Sequence, residues 1–377
     1  MILNTEILNT IEAWSGEALD LLMELGKIPA PSNHEEKRAE FCKNWLEAQG
    51  AEGVYIDEAL NVVYPIGCTE DNPVVVFMAH TDVVFPDTEE LPMHIADGKL
   101  YCPGIGDDTL HLVALLMVAK YIAQNHLVPT NCGLLLVANS GEEGLGNLKG
   151  VRKIMDQYGH RVTEFISFDG PGTGICNKAV GSMRYKIEID TEGGHSFSKF
   201  GNRNAIAYLA SLINTLYTMK VPNRGTTTYN VGTISGGTSV NTIAQHAEML
   251  YEFRSDNRED LAEMEAHLTA ALAFYATKGI RVTTTLVGNR PCGAEIDPEK
   301  HNALIQRGIA AMEKYFGSTT GCHSSSTDSN IPLSMGIPSI TIPCGLGAGA
   351  HTREEYIEID SQVPGMKLAF ELILYYM

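Results

Sequence analysis

The chain has 377 residues, 44% of them hydrophobic and 19% charged, with a formal net charge of −19. That length exceeds the size at which one core usually stops growing, so two domains are expected, and the composition excludes a disordered or fibrous protein. The acidity speaks against a nucleic-acid partner, because phosphate binding needs clustered Lys and Arg that the sequence lacks.

Helical periodicity runs through residues 5–26 and 34–49 on either side of the turn-like IPAPSN, and Ser32 with Glu35 reads as a capping box for the second helix. Residues 74–80, VVVFMAH, predict a buried strand ending in His80; 110–124 predict a long apolar helix; 132–140 and 165–170 predict two further buried strands. Continuous apolar strands separated by helices indicate an α/β sheet covered on both faces, where functional groups gather at the ends of strands. After about residue 180 the order becomes strand, helix, two strands, helix, strand, which is that of a small ferredoxin-like α+β unit. The expected organisation is therefore an α/β domain of residues 1–180 and 291–377, with a mixed sheet flanked by helices, interrupted by an α+β domain of residues 181–290. A helix over 299–316, the strand IPSITIP and a helix after Gln362 complete the first domain.

Eight scattered cysteines with no CxxC pair read as reduced, mostly buried thiols. The amphipathic, acidic N-terminal segment lacks the basic start and apolar core of a signal peptide, and no apolar run approaches the roughly 20 residues that span a membrane. A cytoplasmic enzyme with no membrane partner is expected.

Several clusters carry chemistry. His80 ends an apolar strand with Asp82 two residues on; a neutral imidazole suits zinc, and a nearby carboxylate can hold its other ring nitrogen. In GIGDDT, Asp107 and Asp108 either cap the following helix through its dipole or supply a carboxylate that bridges two cations. In NSGEEG, Glu142 and Glu143 are either a solvated loop or a pair dividing labour, Glu143 as a ligand and Glu142 as a base toward water. Asp169 in SFDGPG suits an Asx turn or a ligand on a loop. His351 follows a glycine-rich stretch that lacks the full GxGxxG fingerprint but lets backbone approach a buried site. His195 in TEGGHSF reads, on its own, as a surface-loop histidine. A serine nucleophile is disfavoured because no GxSxG elbow occurs.

Six ordered motifs, HTD at 80–82, GDD at 106–108, GEEG at 141–144, FDG at 168–170, GGHSFSKFGNRNAI at 193–206 and AHTREEY at 350–356, resemble metallopeptidase family twenty over nearly the whole chain. That family comprises di-zinc exopeptidases and amidohydrolases, including peptidase T, carboxypeptidase G and the aminoacylases. The resemblance implies that His80 and Asp169 bind one metal, Glu143 and His351 the other, and Asp107 bridges them. It implies Glu142 as general base, Asp82 as the carboxylate behind His80, a cis peptide between Asp107 and Asp108, and His195 as oxyanion stabiliser, commonly in the partner subunit's active site. Asn241 and Arg254 match positions that often hold the substrate's terminal carboxylate or carbonyl. Two divalent cations are implied, zinc foremost with cobalt or manganese able to occupy the same cage. The inserted domain would serve as lid and dimerisation domain of a homodimer.

The chain departs from the family at Thr109, where Lys or Met is common, and in the missing glycine after it. SSSTDSN at 324–330 replaces a GGTD loop and leaves contacts at Thr327 and Asp328 open. The expected activity is that of a peptidase T-like aminopeptidase on short peptides, with carboxypeptidase or N-acyl amino acid deacylase as alternatives. A non-catalytic metal- or peptide-binding protein, or a structural dimerisation protein, is the remote alternative.

Overall fold

Val74–His80, seven residues without exposed surface, lies inside an eight-stranded mixed sheet of the larger of two units. The computed structural model describes residues 3–377; one unit comprises the chain up to Lys178 with Glu295–Met377, the other Ala179–Ala294.

In the larger unit the sheet order is Tyr55–Ile56, Val62–Ile66, Gly133–Asn139, Val74–His80, Val162–Phe168, Ser339–Ile342, Gly174–Ala179, Gly321–Ser325. Its four middle strands, from Gly133–Asn139 to Ser339–Ile342, run parallel. Side chains alternate between faces along a strand, so an uninterrupted apolar run must be covered on both sides. Val75, Phe77 and Ala79 join the helix Leu110–Gln124 and the terminal helix Gln362–Leu374 in one core, while Val74, Val76 and Met78 pack with Val151 and Ile154 in another. Parallel neighbours end at the same edge, which brings His80, the loop after Asn139 and the loop after Phe168 together.

Two sequence expectations change here. The helical stretch 5–26 is two helices, Thr5–Ala13 and Ser15–Lys27, broken at Trp14, with Asn4 capping the first through Ile7 N–H at 2.9 Å. The capping box does not form: the next helix is Glu36–Ala48 with Glu35 at its N-cap and no side-chain cap bond. Ser32 is drawn elsewhere, its hydroxyl donating to Asp82 Oδ2 at 2.7 Å.

The smaller unit has the strand order Thr227–Gly236, His246–Ser255, Gly181–Asp190, Arg281–Arg290, all antiparallel. Its helices Ala205–Tyr217 and Arg258–Ala276 cover one face, where Ile187, Ile189, Met249, Tyr251 and Phe253 meet Leu209, Leu212, Met264 and Leu268. Asn204 and Asn257 cap these helices through backbone N–H groups, which explains why each starts where it does. All eight cysteines are free thiols. Among the described residues no helix is long and apolar enough to cross a membrane.

Candidate metal centre

Three loops at the C-terminal edge of the parallel strands, and a fourth after Ile342, bring five predicted ligands together. His80 ends its strand with 1% exposure, and its Nδ1 faces the main-chain oxygen of Asp82 at 2.9 Å. That contact directs Nε2 toward Asp107 Oδ1 at 3.0 Å and Asp169 Oδ1 at 3.8 Å. His351, at a positive φ of 65°, turns its own Nε2 toward Asp107 Oδ2 at 3.2 Å and Glu143 Oε1 at 3.0 Å. Asp107 thus presents one oxygen to each of two ligand pairs. The Asp107–Asp108 peptide is cis, as the resemblance implied.

The surroundings hold these groups by hydrogen bonds that the sequence did not disclose. Asp82 accepts the N–H groups of Glu142 and Glu143, each at 3.0 Å, so its carboxylate anchors the glutamate loop while its carbonyl orients His80. Its Oδ1 lies 3.4 Å from His80 Nδ1, a longer approach than the carbonyl makes. Ser32 joins the same anchor, bonding both Asp82 and the Glu143 carbonyl. Glu355 accepts N–H from Gly104, Gly106 and Asp107 at 2.7, 2.8 and 2.8 Å and so fixes the loop bearing Asp107. Its signal in the sequence was only a second glutamate in HTREEY. Asp108 is buried behind the ligands, accepting His80 N–H at 2.6 Å and lying 2.9 Å from His111 Nδ1. In SSSTDSN, Asp328 accepts from Asn139 Nδ2 at 2.6 Å, and Thr327 Oγ1 lies 2.8 Å from Thr341 Oγ1.

Within the smaller unit His195 ends one strand of a two-stranded ribbon, Gly194–His195 against Thr242–Ile243, and Asn241 directly precedes the other. His195 pairs with Thr242, and Ser196 N–H donates to the Asn241 carbonyl at 2.9 Å. The N–H groups of Phe197 and Ser198 reach His195 Nδ1 at 3.2 and 3.4 Å, which leaves the neutral ring's hydrogen on Nε2. Arg254 is not on that ribbon; it pairs with Glu252 through Nε and Nη2 at 3.1 and 3.2 Å.

Charge decides what this cluster accepts. Two like charges about 4 Å apart repel by about 4 kcal/mol even at an effective dielectric of about 20, so adjacent buried carboxylates cannot all stay ionised without positive charge among them. Burial, then Asp107 and Asp108, push Asp169 well above the carboxylate range, and burial raises Glu143. Burial alone would lower His80, but Asp108, Asp107 and Asp82 outweigh it and hold the ring well above its usual value. Asp107 and Glu143 push His351 up to about 10. Ligand-capable atoms of His80, Asp107 and Glu143 lie within 4.8 Å of one another, as do those of His80, Asp108 and Asp169. This all-imidazole-and-carboxylate donor set fits divalent cations such as zinc, cobalt or manganese.

A pH dependence follows. Without cations the folded chain keeps protons on His351 and His80 near neutrality, and burial with Asp107 and Asp108 favours the protonated form of Asp169, whereas ligands bind in their deprotonated forms. Cation uptake is therefore expected to release protons and to tighten as pH rises from 6 to 8. Calorimetric titration in buffers of differing ionisation heat checks this; uptake with no proton release contradicts it.

Residues 76–375 match the family model of peptidase family M20/M25/M40. Succinyl-diaminopimelate desuccinylase from Psychrobacter arcticus is 27% identical over 223 residues, 54% of each chain, so this chain spans about half the length of that relative. A tripeptidase from Staphylococcus aureus superposes with a TM-score of 0.78 at 22% identity, covering 96% of this chain and 98% of the other. Aminopeptidase PepT from Bacillus cereus gives 0.74 at 21% identity, covering 95% and 98%. At these identities the two structures share the fold with this chain.

Proposed function

Because the chain belongs to peptidase family M20/M25/M40, we propose that it is a di-metal hydrolase that cleaves the terminal peptide bond of a short peptide, in the manner of a peptidase T-like aminopeptidase. The observation that carries this reading is Asp107, whose two oxygens each face a different histidine Nε2. In it, His80 and Asp169 would hold one cation and His351 and Glu143 the second, with Asp107 serving as a ligand to both. Bound there, two divalent cations supply Lewis acidity, acidifying water and drawing charge from a scissile carbonyl.

The remaining work falls to side chains. Glu142, only 5% exposed and with its backbone fixed by Asp82, takes the proton from the attacking water and returns it to the leaving amine. His195 offers Nε2–H as an oxyanion donor, and Asn241 beside it and Arg254 serve the substrate's terminal groups. Eight free thiols support a reducing, cytoplasmic setting.

The test of the activity is a tripeptide, a dipeptide, an N-acetyl amino acid and N-succinyl-diaminopimelate assayed side by side. The tripeptide is expected to give the highest kcat/KM, with release of its N-terminal residue. Turnover of an acylated compound alone would move the assignment to a deacylase, a reading that the desuccinylase relative keeps open.

We further propose a homodimer formed through the inserted unit. Its edge strand Thr227–Gly236 leaves most residues exposed, and Ile234 is 56% and Val240 102% exposed. An open edge with apolar side chains invites pairing with another chain. Sedimentation equilibrium should give twice the chain mass, falling to a monomer in Ile234→Lys; a wild-type monomer at micromolar concentration rejects the dimer.

A further inference from the structure

Arg38 lies on the helix Glu36–Ala48 with no exposed surface. An arginine stays charged in a protein, and a buried charge costs free energy unless its surroundings answer it. Its hydrogen bonds go to main-chain and hydroxyl oxygens: Nε to the Ile28 carbonyl at 2.8 Å, Nη1 to the Thr81 carbonyl at 3.0 Å and to Thr109 Oγ1 at 3.2 Å. Nη2 is buried without a partner. The groups acting on it electrostatically are the thiols of Cys42 and Cys102 and the carboxylates of Asp82 and Asp108. Burial pushes both thiols up to about 12, so they are neutral, and the carboxylates facing Arg38 are those of Asp82 and Asp108, which sit behind His80 and Asp107.

The atoms it grips are also those of the centre. Thr81 follows His80 directly, and Thr109 lies two residues past Asp107. The Thr109 hydroxyl donates to the Gly104 carbonyl at 2.6 Å, closing the loop that carries Asp107. One planar guanidinium therefore touches the strand end behind the first histidine and the loop behind the bridging aspartate.

We infer that Arg38 is a positioning residue which, through Thr81 and Thr109, sets the spacing between His80 and Asp107 so that both can share a cation. The inference rests on the di-metal reading of the site. Two consequences of losing Arg38 oppose each other. Its positive charge repels an incoming cation, so charge loss alone would tighten metal binding; loss of the fork would let the two segments drift and weaken it. Lysine keeps the charge, but its single ammonium cannot hold the Ile28 carbonyl together with the two threonine acceptors as Nε and Nη1 of the planar guanidinium do.

The experiment titrates metal-free wild type, Arg38→Lys, Arg38→Met and Thr109→Val with zinc, cobalt and manganese, and records thermal melts of the metal-free proteins. Spacing predicts weaker uptake in both arginine variants, by about 10- to 100-fold, the usual cost of losing a group that orients ligands, and weaker uptake by about tenfold in Thr109→Val. Should Arg38→Met fail to fold, Arg38→Lys carries the test, and Thr109→Val, which takes the hydroxyl from both Arg38 and the Gly104 carbonyl, shows the effect of losing the loop contact with the guanidinium in place. Variants that melt lower but bind metal as tightly as wild type, or more tightly, overturn the inference and leave Arg38 a core residue. Wild type that takes up no divalent cation overturns instead the site reading on which the inference stands.

Discussion

Glu142→Gln is expected to keep both cations bound and to lower kcat by about 10²- to 10⁴-fold, the usual contribution of a positioned general acid–base group. Glutamine preserves the shape of the side chain, and the main-chain N–H that Asp82 holds at 3.0 Å is untouched, so the loop stays in place. What disappears is the capacity to take a proton. Glu143, one residue on, provides the internal contrast: its Oε1 meets His351 Nε2 at 3.0 Å, and Glu143→Gln should lower metal content as well as turnover. Steady-state kinetics with metal analysis on both variants separates base from ligand. A Glu142→Gln enzyme with near wild-type kcat would remove Glu142 from the mechanism.

Asp107→Ala is expected to have the largest effect on metal content, because both oxygens of this side chain are committed, one toward each histidine. Its loss should weaken uptake by more than the roughly 10- to 100-fold that follows removal of a group behind a ligand, reduce stoichiometry below two and abolish hydrolysis. Asp108→Asn is the control. Asp108 is buried and accepts the main-chain N–H of His80 at 2.6 Å, a bond that holds the strand end in place, so its replacement should cost stability more than stoichiometry. Metal content after dialysis distinguishes the two, and an Asp107→Ala protein that still retains two ions refutes the bridge.

The strand Val74–His80 and the helix Leu110–Gln124 were legible to the residue because their signals are local: seven apolar residues ending in a polar one, and fifteen residues nearly all apolar. The break at Trp14 was not, since both helices share one apolar face and only the backbone at that residue marks the bend. The five ligands were named from short motifs that resemble a known family, and the fold brings four of their side chains within 3.2 Å of a neighbouring ligand, with Asp169 3.8 Å from His80. Composition alone would have left Asp107 and Asp108 as helix caps.

What the sequence hid is the support. Ser32 looked like a helix cap because it precedes a glutamate at the right distance, yet its hydroxyl bonds a carboxylate 50 positions away. Glu355 stood only as the second glutamate of HTREEY, yet it gathers three N–H groups from a loop about 250 positions earlier. Arg38 had no local signal at all. Contacts of this separation depend on which strands are neighbours, and short-range periodicity carries no information about that. Arg254, matched like Asn241 to a position that holds a substrate's terminal group, pairs with Glu252 two residues away, a contact that alternation along one strand face allows.

The central claim is that His80, Asp107, Glu143, Asp169 and His351 form one site for two cations that hydrolysis requires. Stripping the protein with chelator, adding zinc or cobalt back in steps, and following bound metal and tripeptide hydrolysis together tests it most directly. The account predicts no hydrolysis in the stripped protein and full recovery at two equivalents per chain. Hydrolysis that survives complete metal removal, or recovery complete at one equivalent, would contradict it.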